Sequence, residues 1–176
     1  MAGRPASAVI VRARLPAGLE RLRRRSVADA EEGVPAHLTL LYPFVEPASL
    51  DIVVRRTIAA VAARHAAFDY RLDRAARWPD TIYVAVAPVE PFVALQDDLA
   101  RAFPRYPIYG EPPGFEFVPH VTIAEGSSTD DPATARDPGW TDLPRAASAS
   151  AIEVIASDGG GWRPVWRVRL GRRGPR

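Results

Sequence analysis

Residues 8–14 read Ala-Val-Ile-Val-Arg-Ala-Arg, a short β-branched run closed by Pro16, which predicts a strand. Residues 17–32 set Leu19, Leu22 and Val27 among arginines and acids, a solvent-facing helix that Gly33-Val34-Pro35 breaks. Residues 37–42 (His-Leu-Thr-Leu-Leu-Tyr) predict a second strand, stopped by Pro43. Leu50, Val53, Val54, Ile58, Val61 and Ala62 recur at helical spacing, so a helix covers 48–66. Strands follow at 68–73 and 81–87, on either side of Trp78-Pro79-Asp80. Phe92, Leu95, Leu99 and Phe103 line one face of a helix over 89–103. A loop rich in Pro, Gly and Tyr spans 104–116, and 117–124 is a strand. Residues 127–145 are polar with one helical turn, and 149–156 and 163–170 are closing strands joined by a turn at Asp158 to Gly161. The order β-α-β-α-β-β-α-β-loop-β-β predicts an α+β fold with antiparallel or mixed sheets.

Composition narrows the chemistry. The chain has 176 residues, the size of one domain over 1–176, and can bury a core without staples. It has no cysteine, which excludes a disulfide scaffold, a thiol nucleophile and an iron–sulfur cluster. It has no lysine either, so Schiff-base chemistry and a P-loop lysine are excluded and all 23 basic residues are arginine. Three histidines, His37, His65 and His120, are the short list for proton transfer near neutral pH. Net charge is +2, too small for a protein that coats duplex DNA but compatible with a local basic cleft for one phosphate or a short RNA end. The apolar run near the start is only Ala8 to Val11, and nothing approaches the ~20 residues needed to span a bilayer, so the expectation is a cytoplasmic monomer with no membrane contact.

The chain carries one internal echo. Val34-Pro35-Ala36-His37-Leu38-Thr39-Leu40 is answered by Val118-Pro119-His120-Val121-Thr122-Ile123, with the histidines 83 positions apart. Side chains alternate along a strand, so His37 and Thr39 share a face opposite Leu38 and Leu40. His120 and Thr122 likewise oppose Val121 and Ile123. The aliphatic residues anchor each strand, and two imidazoles and two hydroxyls converge if the halves face one another. Displacement at a phosphodiester needs one group to take a proton from the attacking oxygen and another to protonate the leaving oxygen. Two histidines suit that work, with threonine hydroxyls donating to the phosphate oxygens where charge grows. No metal or other cofactor is required.

These residues resemble the 2H phosphoesterase superfamily, and within it the 2′-5′ RNA ligase-like or cyclic phosphodiesterase proteins. His37-Leu38-Thr39-Leu40-Leu41-Tyr42-Pro43-Phe44 is similar to the first family motif, and Val118-Pro119-His120-Val121-Thr122-Ile123-Ala124 to the second. Trp78-Pro79-Asp80-Thr81-Ile82-Tyr83-Val84 resembles the segment between them, and the ending Val168-Arg169-Leu170-Gly171 fits the closing strand. The resemblance implies a bilobal α+β fold: two lobes related by a pseudo-twofold axis, sheets lining a central cleft, helices outside. It implies metal-independent chemistry on 2′,3′-cyclic phosphate or 2′-5′ phosphodiester bonds of RNA ends or small cyclic nucleotides. His37 and His120 are then acid and base, and Thr39 and Thr122 hold phosphate.

Tyr42, Trp78 and Tyr83 are candidates for stacking on a base, against the simpler reading that they pack the cleft wall. Arg77 and Arg105 fall near cleft segments, Tyr106 and Tyr109 in the loop before the second motif, and His65 at a helix end, where a cation is favourable. The Arg21 to Arg25 cluster reads as a solvated helix face. Three other functions compete: RNA 2′-5′ ligation as the reverse reaction, a non-catalytic RNA-end or nucleotide binder, and a metal hydrolase built on His37, His120 and Glu125.

Overall fold

The computed structural model describes residues 5–111 and 116–172, so 112–115 of the expected loop lie outside the described residues. Eight strands form two four-stranded sheets. Strands β1 (Ala6–Arg12), β2 (His37–Leu41), β7 (Ala151–Ser157) and β8 (Trp162–Arg169) make one, in the order β2-β1-β7-β8. Strands β3 (Phe68–Trp78), β4 (Thr81–Ala87), β5 (His120–Glu125) and β6 (Arg145–Ala149) make the other, in the order β5-β4-β3-β6. Every strand pairing within the two sheets is antiparallel, which settles the expected choice between antiparallel and mixed.

The two sheets repeat one plan. In each, a strand–helix–strand unit sets a motif strand at the sheet edge: β1, α1 (Ala17–Ser26) and β2 in one, β4, α4 (Glu90–Ala102) and β5 in the other. The repeat reaches the register. Between β1 and β2 the ladder passes from Val9↔Leu41 to Ile10↔Thr39, leaving Leu40 as the extra residue. Between β4 and β5 it passes from Ile82↔Ala124 to Tyr83↔Thr122, leaving Ile123 extra. A bulge therefore sits immediately after the threonine of each motif, where it re-aims the flanking side chains. The helices are exchanged: α1 packs against β5, α4 against β2, and the edge strands β2 and β5 meet.

One hydrophobic core serves both sheets. Leu38 and Leu40 of β2 and Val121 and Ile123 of β5 are fully buried in it, with Phe92, Leu95 and Leu99 of α4. Helix α3 (Ile52–Arg64) adds Ile58 and Val61 and is capped by Asp51, whose carboxylate accepts from the N–H groups of Val53 and Val54 at 2.9 Å. Burying the aliphatic half of each motif strand fixes the His and Thr on the other face, because a one-residue slip would exchange the two sets.

Three expected elements differ. The helix over 17–32 is two helices: Val27, buried and extended, ends α1 and starts the single turn α2 (Ala28–Glu31). Strand β3 runs to Trp78 because its first half pairs with β6 and its second with β4, so neighbours override the weak strand propensity of Asp73-Arg74-Ala75-Ala76-Arg77. Strand β6 fills the gap between the polar stretch expected over 127–145 and the strand expected from 149, and goes unpredicted because Arg-Ala-Ala-Ser-Ala shows no hydrophobic alternation. The polar stretch also holds one short helix, α5 (Pro132–Ala135), flanked by 3₁₀ turns at 126–129 and 138–142.

Helix α1 rests on the 138–142 turn backbone to backbone. A Cβ on Gly18 would stand 2.7 Å from the Gly139 Cα, and one on Gly139 would stand 2.7 Å from the Gly18 carbonyl carbon. Neither backbone can yield as a side-chain tip can. Gly18→Ala is expected to lower stability by about 1–3 kcal/mol, the usual range for overpacking, read as a drop in Tm by calorimetry.

Candidate active site

The second face of the motif strands opens on a cleft of about 730 Å³, within the size range of small-molecule sites. His37, Thr39, His120 and Thr122 all line it. Two sheets with the same register thus bring both His-Thr pairs to one space.

The two imidazoles are held alike. The Nδ1–H of His37 donates to the Pro35 carbonyl at 2.7 Å, and that of His120 to the Val118 carbonyl at 2.7 Å. Each acceptor lies two residues upstream on the turn into the strand, so the same local geometry fixes the same tautomer. Each Nε2 then carries the ring's lone pair, and in His37 it lies 3.2 Å from the Thr39 hydroxyl. Burial lowers the His37 pKa to about 4, offset in part by the Pro35 hydrogen bond, with Arg23 and His120 pushing the same way as burial. Burial also lowers His120, against the Val118 hydrogen bond. Both rings are therefore neutral at neutral pH.

The walls break the symmetry. Trp78 lies against Tyr83 with ring centroids 4.2 Å apart, and both rings bracket His120, at 4.7 and 5.3 Å. Tyr83 is 8% exposed and forms a base under the imidazole, outside the cleft lining, whereas Trp78 keeps an open face at 38%. Tyr42 lines the other side, paired with Trp162 at 6.2 Å. Tyr42 and Glu125 are equivalent in the repeat, each five residues past its motif histidine, and both face the cleft.

Two lining residues depart from the sequence reading. Arg23 belongs to the cluster taken as a solvated face, yet it is 2% exposed. Its guanidinium donates to the Val34 carbonyl and to the Asp29 carboxylate, both at 3.0 Å, and lines the cleft. The signal was present: Leu19, Leu22, Arg23 and Ser26 fall at i, i+3, i+4 and i+7, which puts Arg23 on the buried stripe. Trp162 falls between the expected turn and the closing strand expected over 163–170, and nothing local marks it as cleft wall.

Tyr109 sits over Thr39. Its backbone N–H donates to the Tyr42 carbonyl at 2.5 Å, and its hydroxyl hydrogen-bonds the Thr39 side chain. It holds φ +54°, a left-handed conformation that costs a bulky residue energy and collects at functional sites. Thr122 has no such partner among the described residues.

The remaining candidates lie elsewhere. Arg77 donates to the Thr129 carbonyl at 2.9 Å and pairs with Asp130. Tyr106 packs edge-on against Phe44, and His65 at the end of α3 bonds Asp98 at 2.9 Å. Among the described residues no group of three or more His, Asp or Glu side chains is placed to hold a metal ion, and no helix is long and apolar enough to cross a membrane.

A profile of the 2′-5′ RNA ligase superfamily matches residues 11–161, which spans both motif strands and the whole of the β5-β4-β3-β6 sheet. The chain belongs to this superfamily. No curated protein matches it closely. Among solved structures, the LigT protein of Escherichia coli, crystallised with 3′-AMP, superimposes with a TM-score of 0.58 at 18% identity, over 96% of this chain and 99% of LigT. A protein solved as a phosphoesterase gives 0.58 at 19%, over 97% of this chain and 100% of that one. The TT0787 protein of Thermus thermophilus gives 0.59 at 18%, over 96% and 100%. At these identities the likeness establishes the fold, the paired-lobe α+β architecture expected of the superfamily.

Proposed function

We propose that this protein is a metal-independent phosphodiesterase acting on 2′,3′-cyclic phosphate ends or 2′-5′ linkages of RNA or small nucleotides. The observation that carries the reading is the matched pair of imidazoles, each locked through Nδ1 by an upstream carbonyl and both lining one cleft. The crystal structures of LigT with 3′-AMP and with NADP+ support a nucleotide-sized ligand for this fold.

In the reaction, water attacks phosphorus from one side of the cleft. One Nε2 takes the water proton as the new P–O bond forms. The other, protonated, gives its proton to the ribose oxygen as the old P–O bond breaks. His37 is the base: burial and Arg23 hold it neutral. His120 is the acid, protonated as the anionic phosphate enters, since an adjacent opposite charge favours the charged imidazole. Thr39 and Thr122 donate to the non-bridging oxygens, where negative charge accumulates. Trp78 and Tyr42 offer faces to a nucleobase, while Tyr83 positions His120. With a ribose hydroxyl in place of water, the same two transfers perform 2′-5′ ligation: the base takes the hydroxyl proton as the new P–O bond forms, and the acid protonates the ring oxygen as the cyclic phosphate opens.

Tyr109 acts with Thr39 as a further donor to the phosphate. Tyr109→Phe keeps the ring and its backbone and removes only the hydroxyl. The expected result is a fall in kcat/KM of about 10-fold, the worth of one hydrogen bond to a charged group, with an unchanged Tm. Equal kcat/KM for the variant would remove Tyr109 from phosphate binding.

The reading is tested with a substrate panel: 2′,3′-cyclic mononucleotides, cyclic-phosphate-ended RNA, 2′-5′ dinucleotides and ADP-ribose cyclic phosphate, each with and without EDTA. Turnover of one or more, unaffected by EDTA, is expected. Binding without turnover across the panel would instead favour a nucleotide-binding module.

A further inference from the structure

A second concavity, of about 1060 Å³, lies where the two sheets join. Strand β6 of one sheet passes to β7 of the other through Ser150 alone, and the end of β1 crosses beside them. Four arginines converge there from separate segments: Arg12 and Arg14, Arg145 of β6 and Arg167 of β8. Two carboxylates share the space, Asp69 and Glu153. Glu153 is already engaged, with Arg12 at 3.0 Å and Arg167 at 3.6 Å. Arg14 and Arg145 are exposed and have no ion-pair partner among the described residues. β6 is also a sheet edge, so one side of its backbone has no ladder partner and offers N–H donors.

The charge of the catalytic cleft is the reverse. Among the described residues its lining holds one cation, the occupied Arg23, against Asp29, Glu32, Glu116 and Glu125, so the basic cleft expected from the charge balance is not what forms. Such a cleft takes one terminal phosphate but repels a continuing polyanion. The groove is close by on the same surface. Arg12 is the ladder partner of His37, which sets their Cα atoms about 5 Å apart with both side chains on one face of the sheet.

Resting on the phosphodiesterase reading, we propose that this groove binds the sugar–phosphate backbone of a single-stranded RNA whose cyclic-phosphate end occupies the cleft. Unpaired arginines and free backbone N–H groups are the donors such a backbone uses, and they carry no base specificity. The preferred substrate class is then an oligonucleotide, recognised by its chain as well as its end.

The test is the double variant Arg14→Glu/Arg145→Glu, which touches neither histidine nor threonine. KM is measured for a 2′,3′-cyclic mononucleotide and for a single-stranded RNA of about six nucleotides ending in a 2′,3′-cyclic phosphate, within the usual footprint of such grooves. The oligonucleotide KM is expected to rise at least 10-fold with kcat and the mononucleotide KM unchanged. The dependence of log KM on log salt is expected to flatten by about 1.4, roughly 0.7 for each lost single-strand phosphate contact. An unchanged oligonucleotide KM, or an equal rise for both substrates, overturns the proposal. If the unaltered protein turns over neither substrate, the catalytic reading fails separately. The groove is then judged by fluorescence anisotropy with the same RNA, where equal affinity of both proteins rejects it. Variant-sensitive binding of an acidic peptide without RNA binding would reassign the groove to a protein partner.

Discussion

His37→Ala and His120→Ala should each lower kcat on a 2′,3′-cyclic nucleotide by about 10²–10⁴-fold, the usual contribution of one positioned proton transfer. Neither imidazole anchors the core. Both project from strands held by Leu38, Leu40, Val121 and Ile123 on the opposite face, so circular dichroism should report an intact fold. The double variant should fall little below the worse single one. Groups that act in the same step lose their value together, so the losses do not add. Thr39→Val and Thr122→Val should cost less, since a hydroxyl donor to an anion is worth about 1.5–3 kcal/mol. Asymmetry is expected between them, because Tyr109 backs Thr39 and no described residue backs Thr122 in the same way. Wild-type turnover by the double histidine variant would end the acid–base reading.

How far the sequence speaks to this depends on scale. The alternation His-Leu-Thr-Leu and His-Val-Thr-Ile exposes the site because period 2 is a local property, and burial of the aliphatic half is one consequence of it. The shared bulge was not legible, since Leu40 and Ile123 look like ordinary strand residues and only the partner strand shows them to be extra. Arg23 was legible in principle from its helical spacing but was masked by the arginines around it. Trp162 and Tyr109 reach the cleft through long-range packing and carry no local mark of it. Tyr83 was marked as a candidate stacking surface by its neighbourhood in sequence, yet its burial makes it the support of His120. Strand β6 exists because β3 offers an edge, which no propensity in Arg-Ala-Ala-Ser-Ala announces.

Acid pH should affect activity and stability in opposite directions. kcat/KM reports the free protein, where His37 titrates near about 4 and burial holds His120 below the ordinary 6.5. The base must be neutral and the acid protonated, so kcat/KM should peak between those values. By pH 8 it should fall more than about 30-fold, one decade per unit above the His120 pKa. The descending limb of kcat should lie higher, because bound phosphate favours the protonated imidazole. Stability follows the other proton balance. Between pH 6.5 and about 4 the unfolded chain protonates His37 and the folded one does not, so acid favours unfolding. The loss is absent above 6.5 and reaches about 2 kcal/mol at pH 5, or ~4–8 °C in Tm for a chain of this size. His37→Gln removes that titration. Its Tm should therefore drop less than wild type between pH 7 and pH 5, by that amount, although its turnover is impaired at both. Carboxylates such as Asp98 and Asp137, held low by their arginine and backbone partners, contribute equally to both proteins and cancel in the difference. Parallel Tm curves for the two proteins would mean that His37 is not held neutral by the cleft, and its assignment as the base would go with it.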